Sequence, residues 1–323
     1  MRAAIVNQLG RPPHLGERPD PVERPGHTLV RVTAAALNPV DLHIAAGSHP
    51  AGAPTVPFVP GVEGAGTVVS GGSLPAGTRV RVAVPGGLVD GTLAELVSVP
   101  DGACLPLPPG LDDDLAAAVG VVGVSALLAL RTEAGLRPGE SVLVLGATGG
   151  LGQALVHTAR ALGAGRVAAA GRDPHRLGAL GAAADTVLVL DPDSADADPG
   201  RLAAQVSAIG GPVDVVVDLL WGPHARLAQA ALRPGGRWVN LGQTAGGRAE
   251  LDAAVLRHGH LRLRGFSAAA LPPEQVAAGY RETAALAASG ALPLAVTTRP
   301  LAEVAEAWAA QAASPGAKLV LRP

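Results

Sequence analysis

Residues 142–164 read VLVLGATGGLGQALVHTARALGA. The opening run is apolar without alternation, which predicts a strand buried on both faces of a parallel sheet. Ala147-x-Gly149-x-x-Gly152 follows it directly and leads into a helical Ala/Leu pattern, the setting that makes a glycine pattern a dinucleotide fingerprint. Gly149 lets backbone approach a pyrophosphate and Gly152 lets the helix pack close to the strand. The helix start, with Thr148, Gly150 and Leu151, offers free N–H groups to an anion. Ala147 stands where the first glycine of the pattern is usual.

Outward from this stretch the same rhythm repeats. SVLVLG (141–146), RVAAAG (166–171), TVLVLD (186–191), DVVVDL (214–219), RWVNLG (237–242) and LRLRGF (261–266) alternate with helical segments, which predicts a doubly wound parallel sheet. Before residue 110 the pattern differs. Ala3–Val6, Thr28–Ala34, Gly66–Val69, Thr78–Val84 and Leu93–Val97 read as short strands between Gly, Pro and Asp clusters, a β-rich barrel or sandwich. Asp112–Asp114 open a long helix that runs to Arg131. The tail holds two helical stretches, 273–289 and 301–313, and a last strand, KLVLRP; it is too small for a domain of its own. The expected organisation is therefore an α/β chain, with a Rossmann domain at 119–270 inserted between residues 1–118 and 271–323.

Composition narrows the function. With 48% hydrophobic and 16% charged residues and a net charge of −2, the chain has the material for a core and no basic footprint for nucleic acid or an anionic membrane surface. A single cysteine, Cys104, makes no intramolecular disulfide and no structural zinc site, and it has no basic neighbours that would make it reactive. The apolar stretch Leu115–Leu130 reads as a core helix rather than a membrane span. MRAAIVNQLG (1–10) shows no charged segment followed by an apolar run, so no secretory signal is expected. These features lead to the expectation of a cytoplasmic protein.

The strand at 166–171 decides which dinucleotide. An acidic residue at its end would bind a ribose 2′-OH, whereas arginine there accepts a 2′-phosphate. The strand ends Ala170-Gly171-Arg172, so NADPH is expected rather than NADH. Arg172 and Arg176 are the phosphate partners and His175 a third candidate. Asp173 reads as a helix N-cap.

Taken with LVRVTAAALNPVDLHIAAG (29–47), VPFVPGVEGAGTVV (56–69) and AKLVL (317–321), this pattern resembles the medium-chain dehydrogenase/reductase superfamily over essentially the whole chain. It is most similar to the zinc-free quinone oxidoreductase branch, which includes enoyl and alkenal reductases. The resemblance implies that the β-rich part is a GroES-like catalytic domain. Zinc-dependent members carry Cys where this chain has Asn38, and His where Gly61-Val62-Glu63 has Val62. Neither side chain supplies those bonds, so no metal is expected. Alcohol oxidation is disfavoured without a Lewis acid. The chemistry implied is hydride transfer to a quinone or an α,β-unsaturated carbonyl, either an enone, an alkenal or an enoyl thioester.

The resemblance also supplies candidate site residues. Asn38, in Asn-x-x-Asp, either donates to the substrate carbonyl or nicotinamide or serves as a turn residue. Asp41 is a site carboxylate or the cap of a short helix. His43 and His49 flank that loop, and His49 falls near a tyrosine of many relatives, so it is either a proton donor or a surface histidine. Ser125, Gly242, Gln243, Thr244, Phe266 and Ser267 fall where relatives contact the nicotinamide half of the cofactor. Phe58 and Trp221 are candidates to line a pocket for a flat acceptor, and Tyr280, on a helical tail, reads as surface or core. By analogy the strand at 261–266 pairs with a second copy to make a homodimer. Two other readings stay open: an NADPH-binding sensor or structural protein, and a non-redox cyclase or isomerase on the same fold.

Overall fold

The computed structural model describes residues 1–84, 86–191 and 199–323. These residues form two compact units: Met1–Val121 with Tyr280–Gly290 and Leu294–Pro323, and Val122–Gly279 with Ala291–Pro293. The expected junctions are 118/119 and 270/271, and the units divide at Val121/Val122 and Gly279/Tyr280, inside the helices Asp113–Leu128 and Pro273–Ala288.

In the first unit the strands are β1 (Arg2–Ile5), β2 (His14–Glu17), β3 (His27–Leu37), β4 (Glu63–Gly71), β5 (Arg79–Ala83), β6 (Leu96–Pro100) and β7 (Cys104–Pro106), with helix α1 (Pro39–Ala45) after β3. β1 and β2 form an antiparallel pair. β3, the longest strand, is central, pairing antiparallel with β4 and β6. Its alternating positions Val30 and Val32 are buried, and the last four residues, Ala34–Leu37, are buried throughout. That change from period two to continuous burial marks where the strand passes into the interior. Phe58 is buried in this unit's core with Val6, Val82 and Leu93. It packs and does not line an open pocket.

The second unit holds β8 (Ser141–Leu145), β9 (Arg166–Gly171), β10 (Thr186–Val189), β11 (Val213–Asp218), β12 (Leu232–Asn240) and β13 (Arg262–Gly265). They are parallel and ordered β10-β9-β8-β11-β12-β13. Its helices are α3 (Gly150–Ala161), α4 (Pro174–Gly178), α5 (Pro199–Ala208), α6 (Ala225–Ala231) and α7 (Ala253–His258). All of β8 is buried, and α3 lays Ala154, Leu155 and Ala159 against the sheet. Burying each leucine contributes about 1.5–3 kcal/mol. The strand order reverses between β8 and β11, the topological switch point of such sheets.

Helix α2 (Asp113–Leu128) continues through a π turn to Glu133. Its 21 residues make it long and apolar enough to cross a membrane, more than the expected Leu115–Leu130, but 67% of its apolar window is buried inside the protein. Burial identifies a core helix. The tail adds α8 (Pro273–Ala288), β14 (Val296–Pro300), α9 (Val304–Ala312) and β15 (Lys318–Arg322). β15 pairs antiparallel with β3 and parallel with β14, so the chain's last strand enters the first unit's sheet.

Candidate active site

The turn from β8 into α3 is built by glycines in distinct roles. Gly146 has φ +86°, a left-handed conformation that a side chain resists. The tight turn therefore belongs to Gly146, not to Ala147, which is buried beneath it. Sequence reasoning assigned the missing first glycine to Ala147; the extra glycine straight after the apolar strand was the overlooked signal. A Cβ on Gly152 would lie 2.1 Å from the Gly146 carbonyl oxygen and 2.6 Å from Ala147 Cα, so only glycine lets α3 approach the strand. Gly149 differs, because a Cβ there would have no protein atom nearer than 3.9 Å. Packing does not demand glycine at this position. Its bareness leaves room in front of the α3 N-terminus, where Gly150, Leu151 and Gly152 carry N–H groups ahead of the first intrahelical bond, Gln153 N–H to Gly149 O at 2.9 Å. Thr148 is held by the Gln153 side-chain amide, which donates to its carbonyl at 3.2 Å. The cradle fits a pyrophosphate.

At the end of β9 a Cβ on Gly171 would lie 2.8 Å from Thr148 Cγ2. No carboxylate fits there without displacing Thr148. Arg172 is exposed, and among the described residues its guanidinium makes no ion pair. Arg176 is less available: its Nε pairs with Asp173 at 3.1 Å. Asp173 caps α4 by accepting the His175 and Arg176 N–H groups at 2.9 and 3.1 Å. His175 is exposed.

The carboxyl ends of β11 and β12 are laced together. Thr244 donates both its N–H and its hydroxyl to Leu219 O, at 3.3 and 3.1 Å, and Ala245 N–H donates to Leu220 O at 2.8 Å. Gly242 passes so close to Leu219 that a Cβ would sit 2.7 Å from its oxygen. Asn240 donates to Gly242 O at 2.8 Å, and Phe266 N–H donates to Asn240 O at 2.9 Å. Gln243, Thr244, Phe266 and Ser267 thus occupy one rim of this sheet, the rim that also carries the Gly146–Gly152 turn. Ser125 lies half-buried on α2 in the same unit.

Asp218 is the residue the sequence reading missed on this rim. Its Oδ1 accepts the N–H groups of Leu220 and Trp221 at 2.8 and 2.9 Å, and Oδ2 accepts from Trp238 Nε1 at 3.3 Å. Burial nevertheless pushes its carboxyl above the usual range. Trp221 has φ +56° and ψ −146°, a region open in practice to glycine alone, at a cost of about 1–3 kcal/mol. The Asp218 hydrogen bonds and the Trp238 ring, 5.4 Å away, hold it there.

In the first unit Asn38 and Asp41 enter a buried polar cluster. Asn38, Asp41, Glu63 and Lys318 are at most 4% exposed. Asn38 Nδ2 donates to Glu63 Oε1 at 2.9 Å and to Ala36 O at 3.3 Å; its Oδ1 accepts from Lys318 Nζ at 2.5 Å. Both ends of the amide that the sequence offered to a substrate are therefore spent inside the protein. Lys318 also reaches Glu63 at 3.4 Å, and Glu63 Oε2 accepts Val121 N–H at 2.5 Å. Gly120 makes room for that carboxylate, since a Cβ would lie 1.9 Å from Oε2. Glu63 and Lys318 were visible in the sequence only as parts of two quoted motifs 255 residues apart.

Asp41, third residue of α1, accepts Asn38 N–H at 2.8 Å and Val62 N–H at 2.9 Å. Burial pushes its carboxyl up to about 7, against the pull of those two N–H donors. His49 is half-buried, and its Nδ1 accepts Ala51 N–H at 3.3 Å. His43 is exposed beside Ser48. Cys104 is buried and its thiol is pushed up to about 11, which leaves it protonated and inert. Tyr280 is buried, donates to Ala116 O at 3.0 Å and lies under the Arg81 guanidinium; it is core.

Zinc does not fit this cluster. Among the described residues no three His, Cys, Asp or Glu side chains converge, and the Lys318 ammonium already stands between Asn38 and Glu63.

Comparison with known proteins agrees with this anatomy. Residues 24–109 match the alcohol dehydrogenase GroES-like domain and residues 150–285 the zinc-binding dehydrogenase domain. The chain is 33% identical to human quinone oxidoreductase over 167 residues, 50% of each chain, so the match spans about half the length of that relative. It is 37% identical to the spectinabilin polyketide synthase system protein NorB of Streptomyces orinoci over 224 residues, 67% of this chain and 10% of that one. A solved mycobacterial protein complexed with NADPH superposes with a TM-score of 0.85 at 25% identity, covering 100% of both chains. Fold and domain matches define a medium-chain dehydrogenase/reductase. Within that superfamily its likeness runs to quinone oxidoreductases and to polyketide synthase proteins.

Proposed function

We propose that the chain is a zinc-independent, NADPH-dependent reductase that transfers hydride to a quinone or an α,β-unsaturated carbonyl compound. The observation that carries this reading is the end of β9, where a side chain on Gly171 would press on the Thr148 methyl and Arg172 follows with a guanidinium that makes no ion pair among the described residues. The N–H groups at the α3 start bind the pyrophosphate, Gly149 admits it, and Arg172 binds the 2′-phosphate by a charge-assisted contact. When bound, the dinucleotide supplies the hydride. The rim formed by Gly242–Thr244 and Phe266 orients the nicotinamide half. His49 is the proton donor: with Nδ1 accepting an N–H, the neutral ring carries its proton on Nε2. Asn38 and Asp41 position α1 rather than touch substrate. The protein works in the cytoplasm, and β13 pairs two copies into a homodimer.

Likeness to NorB supports an enoyl thioester among the acceptors. The test follows NADPH consumption at its absorbance band, with NADH in parallel, against quinones, enones, alkenals and enoyl thioesters. Turnover with one class and a preference for NADPH is expected; tight NADPH binding without turnover on any acceptor overturns the reductase reading. His49→Phe should keep cofactor affinity and lower turnover by about 10²–10⁴-fold. Unchanged turnover returns His49 to the surface.

A further inference from the structure

At the β12–β13 margin of the six-stranded sheet, Arg237 pairs in register with Arg262, and Val239 with Arg264. Side chains in parallel register point to the same face, so Arg237, Arg262 and Arg264 share one. Trp238 and Leu263 take the other. Over the arginine face the segment that follows α2 brings Glu133 and Arg137, and these residues line a cavity of about 250 Å³ that is open to solvent.

The charges do not balance. Arg237 is answered by Glu140, 3.0 Å from Nη1, yet its Nε is buried with no hydrogen-bond partner. Arg264 meets Glu133 only at 3.4 Å. Among the described residues the guanidinium groups of Arg137 and Arg262 make no hydrogen bond or ion pair. Converging like charges raise the local potential and draw a counter-ion. Guanidinium forks match the oxygens of phosphate and carboxylate.

We propose that this cavity binds a compact multivalent oxyanion, a polyphosphate or a polycarboxylate. It is separate from the nucleotide cradle, because Arg172 follows β9, on the far side of β8 and β11 from β12 in the sheet order. An antiparallel pairing of β13 with its copy brings Arg262 and Arg264 of the two chains together, which is unfavourable for like charges. The bound anion offsets that repulsion.

Calorimetric titration of the full chain, its α3 cradle first filled with saturating NADPH, with pyrophosphate and separately with tricarballylate, tests the site. One anion per chain is expected, with affinity reduced about tenfold or more, equivalent to roughly 1.4 kcal/mol, by Arg262→Gln and by Arg137→Gln. Arg172→Ala should leave it unchanged. Both glutamine variants replace exposed side chains, and their melting curves check that they fold. Heat with pyrophosphate alone identifies a polyphosphate site, and heat with tricarballylate alone a polycarboxylate site. Binding that is seen without NADPH, survives Arg262→Gln and Arg137→Gln, and disappears once NADPH fills the cradle assigns the anion to the nucleotide cradle and overturns the proposal. Absence of binding by both anions at millimolar concentration also overturns it.

Discussion

Gly171 and Arg172 are adjacent, and the proposed function gives them the choice between two cofactors that differ by one phosphate. Arg172→Ala removes a charge-assisted contact that only the phosphorylated cofactor makes, so it should weaken NADPH by about 1.5–3 kcal/mol and leave NADH nearly unchanged. Fluorescence titration with both cofactors measures this, and equal losses would sink the assignment. Asp41 makes a prediction of another kind. Its folded carboxyl lies at about 7 against an ordinary value of 3.8, so between those limits the folded chain holds a proton that the unfolded chain has released. This contribution to stability is full below the ordinary value and is lost as pH rises through about 7, at up to roughly 1.4 kcal/mol per pH unit. Asp41→Asn should lower stability at pH 5 by removing an acceptor of backbone N–H groups, while flattening the decline of the urea midpoint toward pH 8. A parallel decline in both proteins would show that another group titrates. At this scale the sequence was legible where a contact is local, as in the Asp173 cap. It was not legible where a side chain's partner lies far along the chain: Asn38 reads as a turn residue or a donor until Glu63 and Lys318 are brought to it.

The elements were legible in proportion to their hydrophobic pattern. β8, β9 and β11 have apolar centres and stand within a residue of where the sequence put them. β14 was missed because its five residues, VTTRP, are partly polar and end in proline; its pairing with β15 supplies what its composition lacks. The strand expected at Leu93–Val97 begins at Leu96, since Leu93 and Ala94 are buried by a bridge to Ala3 instead of a ladder. The α3 start offers the sharpest test at this scale. Gly152→Ala places a Cβ against the backbone of Gly146 and Ala147, where no flexible side chain can yield. We expect a loss of about 1–3 kcal/mol, read as a lowered melting temperature, with weakened NADPH binding because the helix N-terminus is pushed from the strand. Wild-type stability in this variant would mean that the turn relaxes freely.

Across the whole molecule, the first unit is assembled from both ends of the sequence. Lys318, from β15, gives the buried Glu63 its cation. Lys318→Met should cost about 3–5 kcal/mol, because it leaves a buried carboxylate and an amide oxygen unanswered. The double variant Lys318→Met with Glu63→Gln should recover part of that loss. Chemical denaturation of the three proteins decides it, and additive losses would show that the two groups do not act as a pair.

The interruption of one sheet by a separate unit has a consequence for biosynthesis. As the chain leaves the ribosome, the residues of the second unit are all present well before Lys318, so that unit can acquire its fold first. Residues 27–37 have by then lost no time to their other partners, but the Leu37–Leu319 pairing must wait for the final strand. Throughout that interval Asn38 and Glu63 lack their lysine, and residues 35–37 of β3, beyond the stretch that β6 covers, have no strand beside them on that flank.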